Sequence, residues 1–314
     1  MVDLESMKRK YLYIILFFAA FSLSASAIFV KLSDAPSTII AGYRMLISTA
    51  VLLPFLLFNT TSRTALRQLS AKQWLLGILA GFFLAAHYAL WFESLRFTSV
   101  ASSTVLVTLQ PLFAFIGGYF LFGEKITRQA LFGGLLAISG STLISWQDFQ
   151  VSGAAFFGDI LAFIAAGLIT GYFFLGQGLR KQLPLIPYVL IGYGSSSVLL
   201  LTYSLLSGYS LIGYSANNWL WFACLALIST VFGQTIFNWL LKWLSTSTIS
   251  MSIVGEPIGT CVLAYLILGQ GVTLQQSIGI LVILTGITIF LSKGREKQSS
   301  VTKFVSNKEQ KAAD

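Results

Sequence analysis

The sequence predicts an all-α integral membrane protein of ten transmembrane helices, arranged as two inverted five-helix repeats. Three observations lead there. Of 314 residues, 56% are hydrophobic and only 10% are charged, whereas a soluble domain carries about 25% charged residues; so few charges cannot cover a soluble surface. The apolar residues form continuous runs of about 20, the length a helix needs to cross hydrocarbon, and not the alternating ten-residue segments of barrel strands. The second half of the chain also repeats the first, with an odd number of helices separating the copies.

The predicted helices run over residues 11–31, 37–58, 73–95, 98–122, 128–146, 155–178, 184–207, 218–241, 246–268 and 274–292. The connections, such as "FNTTSRTALRQLSAKQ" and "LGQGVTLQQ", are short and hold turn formers and charges, leaving no room for a soluble domain. Residues 1–10 are a short N-terminus, and the tail 293–314 is basic, polar and poor in aromatics, a composition that predicts disorder. The N-terminal "MKRK", apolar "YLYIILFFAAF" and small-residue "SLSASA" imitate a signal peptide. The apolar run continues through "AIFV" to Lys31, however, long enough to span, so a retained first helix is expected. The spacing of Gly77 with Gly81, and of Gly167 with Gly171, predicts close helix packing.

Positive charge sets the orientation. With the N-terminus in the cytoplasm, Arg63, Arg67, Lys72, Lys125, Arg128, Arg180, Lys181, Lys242 and the basic tail all fall inside. Only Lys31 and Arg96 fall outside, and Arg44 lies within a helix. The predicted location is the cytoplasmic membrane, multi-pass, with both termini cytoplasmic. The net charge of +9 follows from this topology and gives no reason to expect a nucleic-acid partner. Cys224 and Cys261 sit singly in separate apolar runs, so neither a disulfide framework nor a metal or redox site is predicted. No cofactor is expected.

The repeat appears when the sequence is shifted by 146 residues. Pro111 then matches Pro257, Tyr119 matches Tyr265, and Gly123 matches Gly269. Thr127, Gln129, Gly133 and Gly140 recur as Thr273, Gln275, Gly279 and Gly286. The shift spans five helices, so the second copy, 147–292, must cross the membrane upside down relative to the first, 11–146. Inverted repeats with a site near the midplane are the build of secondary transporters.

The stretch "ALWFESLRFTSVASSTVLVTLQPLFAFIGGYFLFGEKI", the helix-two segment "AGYRMLISTAVLLPFLL" and the second Pro…Gly…Gly pattern resemble the EamA-type module of the drug/metabolite transporter superfamily. The resemblance covers residues 11 to 292 as two modules. It implies a membrane carrier for small metabolites, commonly an exporter of amino acids or related solutes. It also implies that helices one to four and six to nine surround a cavity, with five and ten outside it. The chain departs from the pattern at Gln110, which replaces the first copy's acid before proline, and at Gln270, where the first copy keeps Glu124.

Glu256 and Pro257 stand near the middle of predicted helix nine, in "VGEPIGTCVLAYLILGQG". A carboxylate there costs a few kcal/mol unless paired, hydrated or protonated, so it is expected to face a cavity and suits proton coupling; a protonated carboxyl bonded to a neighbouring helix is the plainer alternative. Pro257 is expected to kink the helix, with Gly255 and Gly259 allowing close approach. Gln110 and Pro111 occupy the matching place on helix four, where Gln110 can face Glu256 and the prolines can also simply bend their helices. Arg44 and Glu93 lie at similar depth in the outer part of the membrane, either paired as an outer gate or snorkelling separately. His87, Tyr88 and Trp91 share a face of helix three, Trp and Tyr offering stacking surfaces or interface anchors. Gln234 and Asn238 share a face in the inner half of helix eight. Ser22, Ser26, Tyr172 and Gln177 are weaker candidates.

The function expected is a secondary carrier of small molecules in the lipid bilayer, working by alternating access, with protons as a coupling partner and no need for an oligomer. No nucleotide-binding motif is present to couple it to ATP. One histidine and isolated carboxylates do not make an enzyme's acid, base or metal set. A channel would use rings of charge from several subunits. A nucleotide-sugar or phosphate-ester exchanger of the same superfamily is the alternative, although Arg44 alone poorly neutralises a dianion.

Overall fold

A computed structural model describes residues 2–124, 127–145, 153–269 and 273–292. The predicted tail 293–314 and Gln270 lie outside the described residues. Within them the regular structure is helical. The chain runs α1 (Val2–Lys31), α2 (Ser37–Phe58), α3 (Thr60–Arg67), α4 (Ala71–Phe97), α5 (Val100–Val107), α6 (Gln110–Phe122) and α7 (Arg128–Ser145). It continues with α8 (Gly153–Leu179), α9 (Leu185–Leu206), α10 (Ala216–Cys224), a π-helical segment (Leu225–Gln234), α11 (Thr235–Leu240), α12 (Thr246–Ile253), α13 (Glu256–Leu268) and α14 (Leu274–Ser292).

Eight stretches among the described residues are long and apolar enough to cross a membrane, from Tyr11–Lys31 to Thr246–Ile267. Large apolar side chains such as Phe17, Phe120, Phe132 and Leu206 point outward and exposed, as they must where the solvent is lipid. Inside, close backbone approach replaces a purely greasy core. On α4, Gly77 lies against Ile191, and a Cβ at Gly81 would come within 2.7 Å of the Gly192 carbonyl of α9. On α8, Gly167 and Gly171 receive the rings of Phe113 and Phe83. The glycines predicted to pack helices do so.

Four features depart from the sequence reading. α1 begins at Val2, nine residues before its apolar run. The connection before Lys72 holds a helix, α3, because Asn59 caps it by accepting from Ser62 N at 2.9 Å. Predicted helix eight is one continuous rod, but its middle is wound as a π-helix.

The fourth departure matters most. Predicted helices four and nine are each broken where a kink was expected. The break falls just before the proline, leaving Pro111 and Pro257 in the first turn of new helices α6 and α13, where the missing N–H is no loss. The two breaks match bond for bond. Leu109 N donates to Leu106 O (3.2 Å) and Leu112 N to Leu109 O (3.1 Å); Gly255 N donates to Ser252 O (3.2 Å) and Ile258 N to Gly255 O (3.1 Å). Upstream, Ser99 and Ser245 cap α5 and α12. Downstream, Gly123 and Gly269 end α6 and α13 at φ 64° and 67°, a conformation that glycine adopts without strain.

α7 and α14 pack tightly on each other, and their contacts are reciprocal. Gln129 Nε2 donates to Ile289 O (3.2 Å), and Gln275 Nε2 donates to Leu143 O (2.8 Å). A Cβ at Gly133 would lie 2.7 Å from Gly286 O, and one at Gly286 would lie 2.6 Å from Gly133 O. Low numbers on one helix meet high numbers on the other, so the pair is antiparallel. Gly286→Ala forces backbone from backbone and is expected to cost about 1–3 kcal/mol. A melting curve in detergent should show the loss, with Gly178→Ala, at an open position, as the unaffected comparison.

Candidate functional site

The two helix breaks open onto one interior cavity. It is lined by Leu23 of α1, His87, Tyr88 and Trp91 of α4, Val107 and Gln110 at the first break, Ile253 and Glu256 at the second, Ile169 and Phe173 of α8, and Gln234 of the π segment. Its volume is about 20 Å³, room for a water molecule but not for a metabolite. Six of the predicted residues therefore meet in one place: His87, Tyr88, Trp91, Gln110, Gln234 and Glu256.

The polar groups around the cavity are unmet. Trp91 Nε1, Gln110 Oε1, Gln234 Nε2 and Glu256 Oε1 are buried with no hydrogen-bond partner. Each such group costs about 1–3 kcal/mol while unsatisfied. Donors and acceptors thus converge from four elements on one small space with an aromatic wall. His87 is held rather than free: its Nδ1–H donates to Ala165 O at 2.9 Å, leaving Nε2 as its acceptor, and its ring stacks on Trp91 at 5.6 Å. Glu256 is fixed through its backbone, whose carbonyl accepts from Ser24 Oγ of α1 at 3.0 Å. Gly259 leaves no room for a Cβ beside Ser24, so α1 presses directly on α13 there.

The EamA-like transporter family model matches residues 10–146 and again residues 156–292. The chain belongs to the EamA-like transporter family. Among the proteins similar to this transporter is the uncharacterized transporter YxxF of Bacillus subtilis (strain 168), 26% identical, covering 72% of each chain. Another is the riboflavin transporter ImpX of Fusobacterium nucleatum subsp. nucleatum (strain ATCC 23726 / VPI 4351), 26% identical over 62% of this chain and 67% of its own. A crystal structure of a protein superposes with a TM-score of 0.74 at 18% identity, over 91% of this chain and 99% of its own; at that identity it shows the fold alone. This EamA-like transporter is a multi-pass membrane protein.

The transporter's remaining predicted residues fall beside the cavity, not in it. Arg44 is fully buried on α2, behind Tyr88, with its guanidinium carbon 4.3 Å from that ring's centroid. Its Nε donates to Thr230 Oγ1 and its Nη1 to Ser26 Oγ, both at 2.7 Å, while Nη2 has no partner. Of the two readings of Arg44 and Glu93, the pair does not form, since Glu93 lies at the partly exposed end of α4, 3.9 Å from Arg96; nor does Arg44 snorkel, because it is fully buried. The Glu93 and Arg96 side chains are both well exposed, so their pair is worth little.

Asn238 also stands apart from the cavity that Gln234 lines. Its Nδ2 donates to the hydroxyls of Tyr172 (2.6 Å) and Tyr193 (3.0 Å), and its backbone carbonyl accepts from Arg180 Nε at 3.0 Å. One turn of helix moves it from the cavity into a buried tyrosine cluster. Tyr172 thus serves Asn238, Ser26 serves Arg44, and Ser22 is half-buried and off the cavity wall.

Thr230 is the residue that the sequence did not disclose. It sits in the π segment, where its hydroxyl donates to Leu225 O, five residues back, at 3.1 Å and accepts from Arg44. π-helical turns are rare and collect at functional sites; nothing in "LALISTVFGQ" marks one. Thr230→Val keeps the volume and removes Arg44's acceptor. A loss of about 1–3 kcal/mol is expected, measured as a lower melting temperature in detergent, with Thr230→Ser recovering most of it.

Proposed function

We propose that this protein is a secondary carrier for small metabolites, built of two inverted five-helix repeats, residues 11–146 and 147–292, that alternate access to the cavity between them. The observation that carries this is the cluster of unmet polar atoms around Gln110, Gln234, Trp91 and Glu256. Hydrocarbon cannot satisfy such groups; a polar solute passing through can. The reciprocal bonds of α7 and α14 and the matched breaks before Pro111 and Pro257 support the twofold arrangement and a count of ten crossing segments. The cavity's small size supports a narrow state between two open ones.

The cavity wall favours a flat or aromatic solute that also carries hydrogen-bonding groups. His87, Tyr88, Trp91 and Phe173 supply the faces, and the amides of Gln110 and Gln234 supply the polar contacts. Amino acids and related solutes fit this chemistry, as does riboflavin, named for one relative. Glu256 is the titratable group at the bend and the residue that exchanges a proton for substrate. A place in the cytoplasmic membrane with both termini inside is the setting that the charged loops support, and export is the direction that the family resemblance implies.

Purified protein in liposomes with an internal pH dye tests this. Substrate gradients of aromatic amino acids, flavins and related metabolites are imposed on wild type and Glu256→Gln. A substrate that moves protons only in wild type is the expected result. Equal substrate flux in both with no proton movement makes Glu256 structural and the protein a facilitator.

A further inference from the structure

The end of the bundle that carries Glu124, Arg180 and Lys242 holds a second polar cluster, separate from the cavity. Glu124 follows the left-handed Gly123 that ends α6, and its N–H reaches back to Gly118 O at 3.0 Å. That turn aims the carboxylate under α6 at the start of α12. Oε2 accepts from Ser247 Oγ at 2.7 Å, and Oε1 accepts from Gln177 Nε2 of α8 at 3.1 Å. Gln177 Oε1 in turn accepts from Thr246 N at 2.6 Å. Ser247 Oγ is also 3.3 Å from Ala114 O of α6. Gly118 makes the room: a Cβ there would lie 2.9 Å from Glu124 Oε2 and 3.1 Å from Ser247 Oγ.

Every bond to the carboxylate crosses from the first half of the chain to the second. A charged acceptor makes these bonds stronger than neutral ones. None of these residues lines the cavity, so the cluster has no part in holding solute. Its geometry is that of a fastening between parts that alternating access requires to separate.

The matched positions in the other half cannot repeat it. Shifted by 146 residues, Glu124 becomes Gln270, Gly118 becomes Ala264 and Ser247 becomes Ala101. The charge is lost, the space beside it is filled, and a donor is gone. Gln177 becomes Lys31, whose ammonium donates instead to the Leu95 carbonyl. All four positions of the cluster that bear on the carboxylate have changed together.

We infer that Glu124, with Gln177 and Ser247, is a latch that holds this end of the carrier shut; at the opposite end a different carboxylate at an unmatched position, Asp159, accepts from Ser102 Oγ at 3.2 Å. Breaking the latch shifts the population toward opening here, without touching the cavity. The latch rests on the alternating-access reading above.

Pulsed electron spin resonance between labels at Tyr119→Cys and Lys242→Cys reads this end directly, in a background with Cys224→Ser and Cys261→Ala. Both label positions are exposed. The expected result is one short distance in the parent. Glu124→Ala and Gly118→Ala should each raise the ratio of long to short distances about tenfold or more, and Ser247→Ala should raise it less. Gly118→Ala displaces the carboxylate without removing it, so agreement between the two excludes a mere effect of lost charge. Unchanged distances in folded variants that merely melt earlier overturn the latch, as does an opposite shift. The measurement uses no substrate; a failed transport assay leaves it intact, and a rigid end leaves the transport result to stand alone.

Discussion

Hydrocarbon offers no hydrogen bonds, and this constraint governs where the chain is allowed to be irregular. A helix break or a buried charge in lipid is too costly to keep, so each must face the protein's own interior. The breaks at 108–109 and 254–255 and the π segment all point at one cavity or at the groups beside it. Arg44 shows the same rule for a charge. Fully buried, it is held by a stacked tyrosine ring and two hydroxyls from α1 and the π segment, with Nη2 left over. Removing any of these leaves a cation in a place that water cannot reach.

The same constraint explains how the site is assembled from so many elements. A lining group on α4 is held by a carbonyl on α8, as His87 is by Ala165. A lining group on α13 is held by a hydroxyl on α1, as the Glu256 backbone is by Ser24. Few of the polar contacts lie within one helix and its neighbour in sequence. Relative motion of the helices therefore changes the set of satisfied groups, which is what couples occupancy of a cavity to shape.

Legibility in the sequence followed the cost of the residue. Glu256 with Pro257, and Gln110 with Pro111, stand out because a charge, an amide or a proline is expensive in an apolar run, and the structure brings Glu256 and Gln110 to one cavity. His87, Tyr88 and Trp91 were readable from helical spacing alone. Helix positions followed from apolar length, since spans of about 20 residues are dictated by the bilayer. What stayed hidden was partnership. For Arg44 the sequence offers Glu93 as a partner or a snorkelling side chain, because charge is visible in sequence and a pair of hydroxyls with an aromatic face is not. Thr230 is an ordinary threonine until the π winding turns it inward. Glu124 and Gln177 are 53 residues apart, and their contact depends on a turn whose direction only Gly123 hints at.

The matched prolines have a further consequence for what one chain can hold. Two identical five-helix subunits meeting face to face would bring the same residue to the cavity twice. They would offer two carboxylates, repelling each other, or two amides and no ionisable group. A single chain with two diverged halves escapes that choice. With Gln110 on one side and Glu256 on the other, the cavity has a single acid, opposite a neutral donor and acceptor. The difference across the cavity is thus one that a single chain allows: the two helix breaks match in their backbone bonds, and the side chains beside them differ.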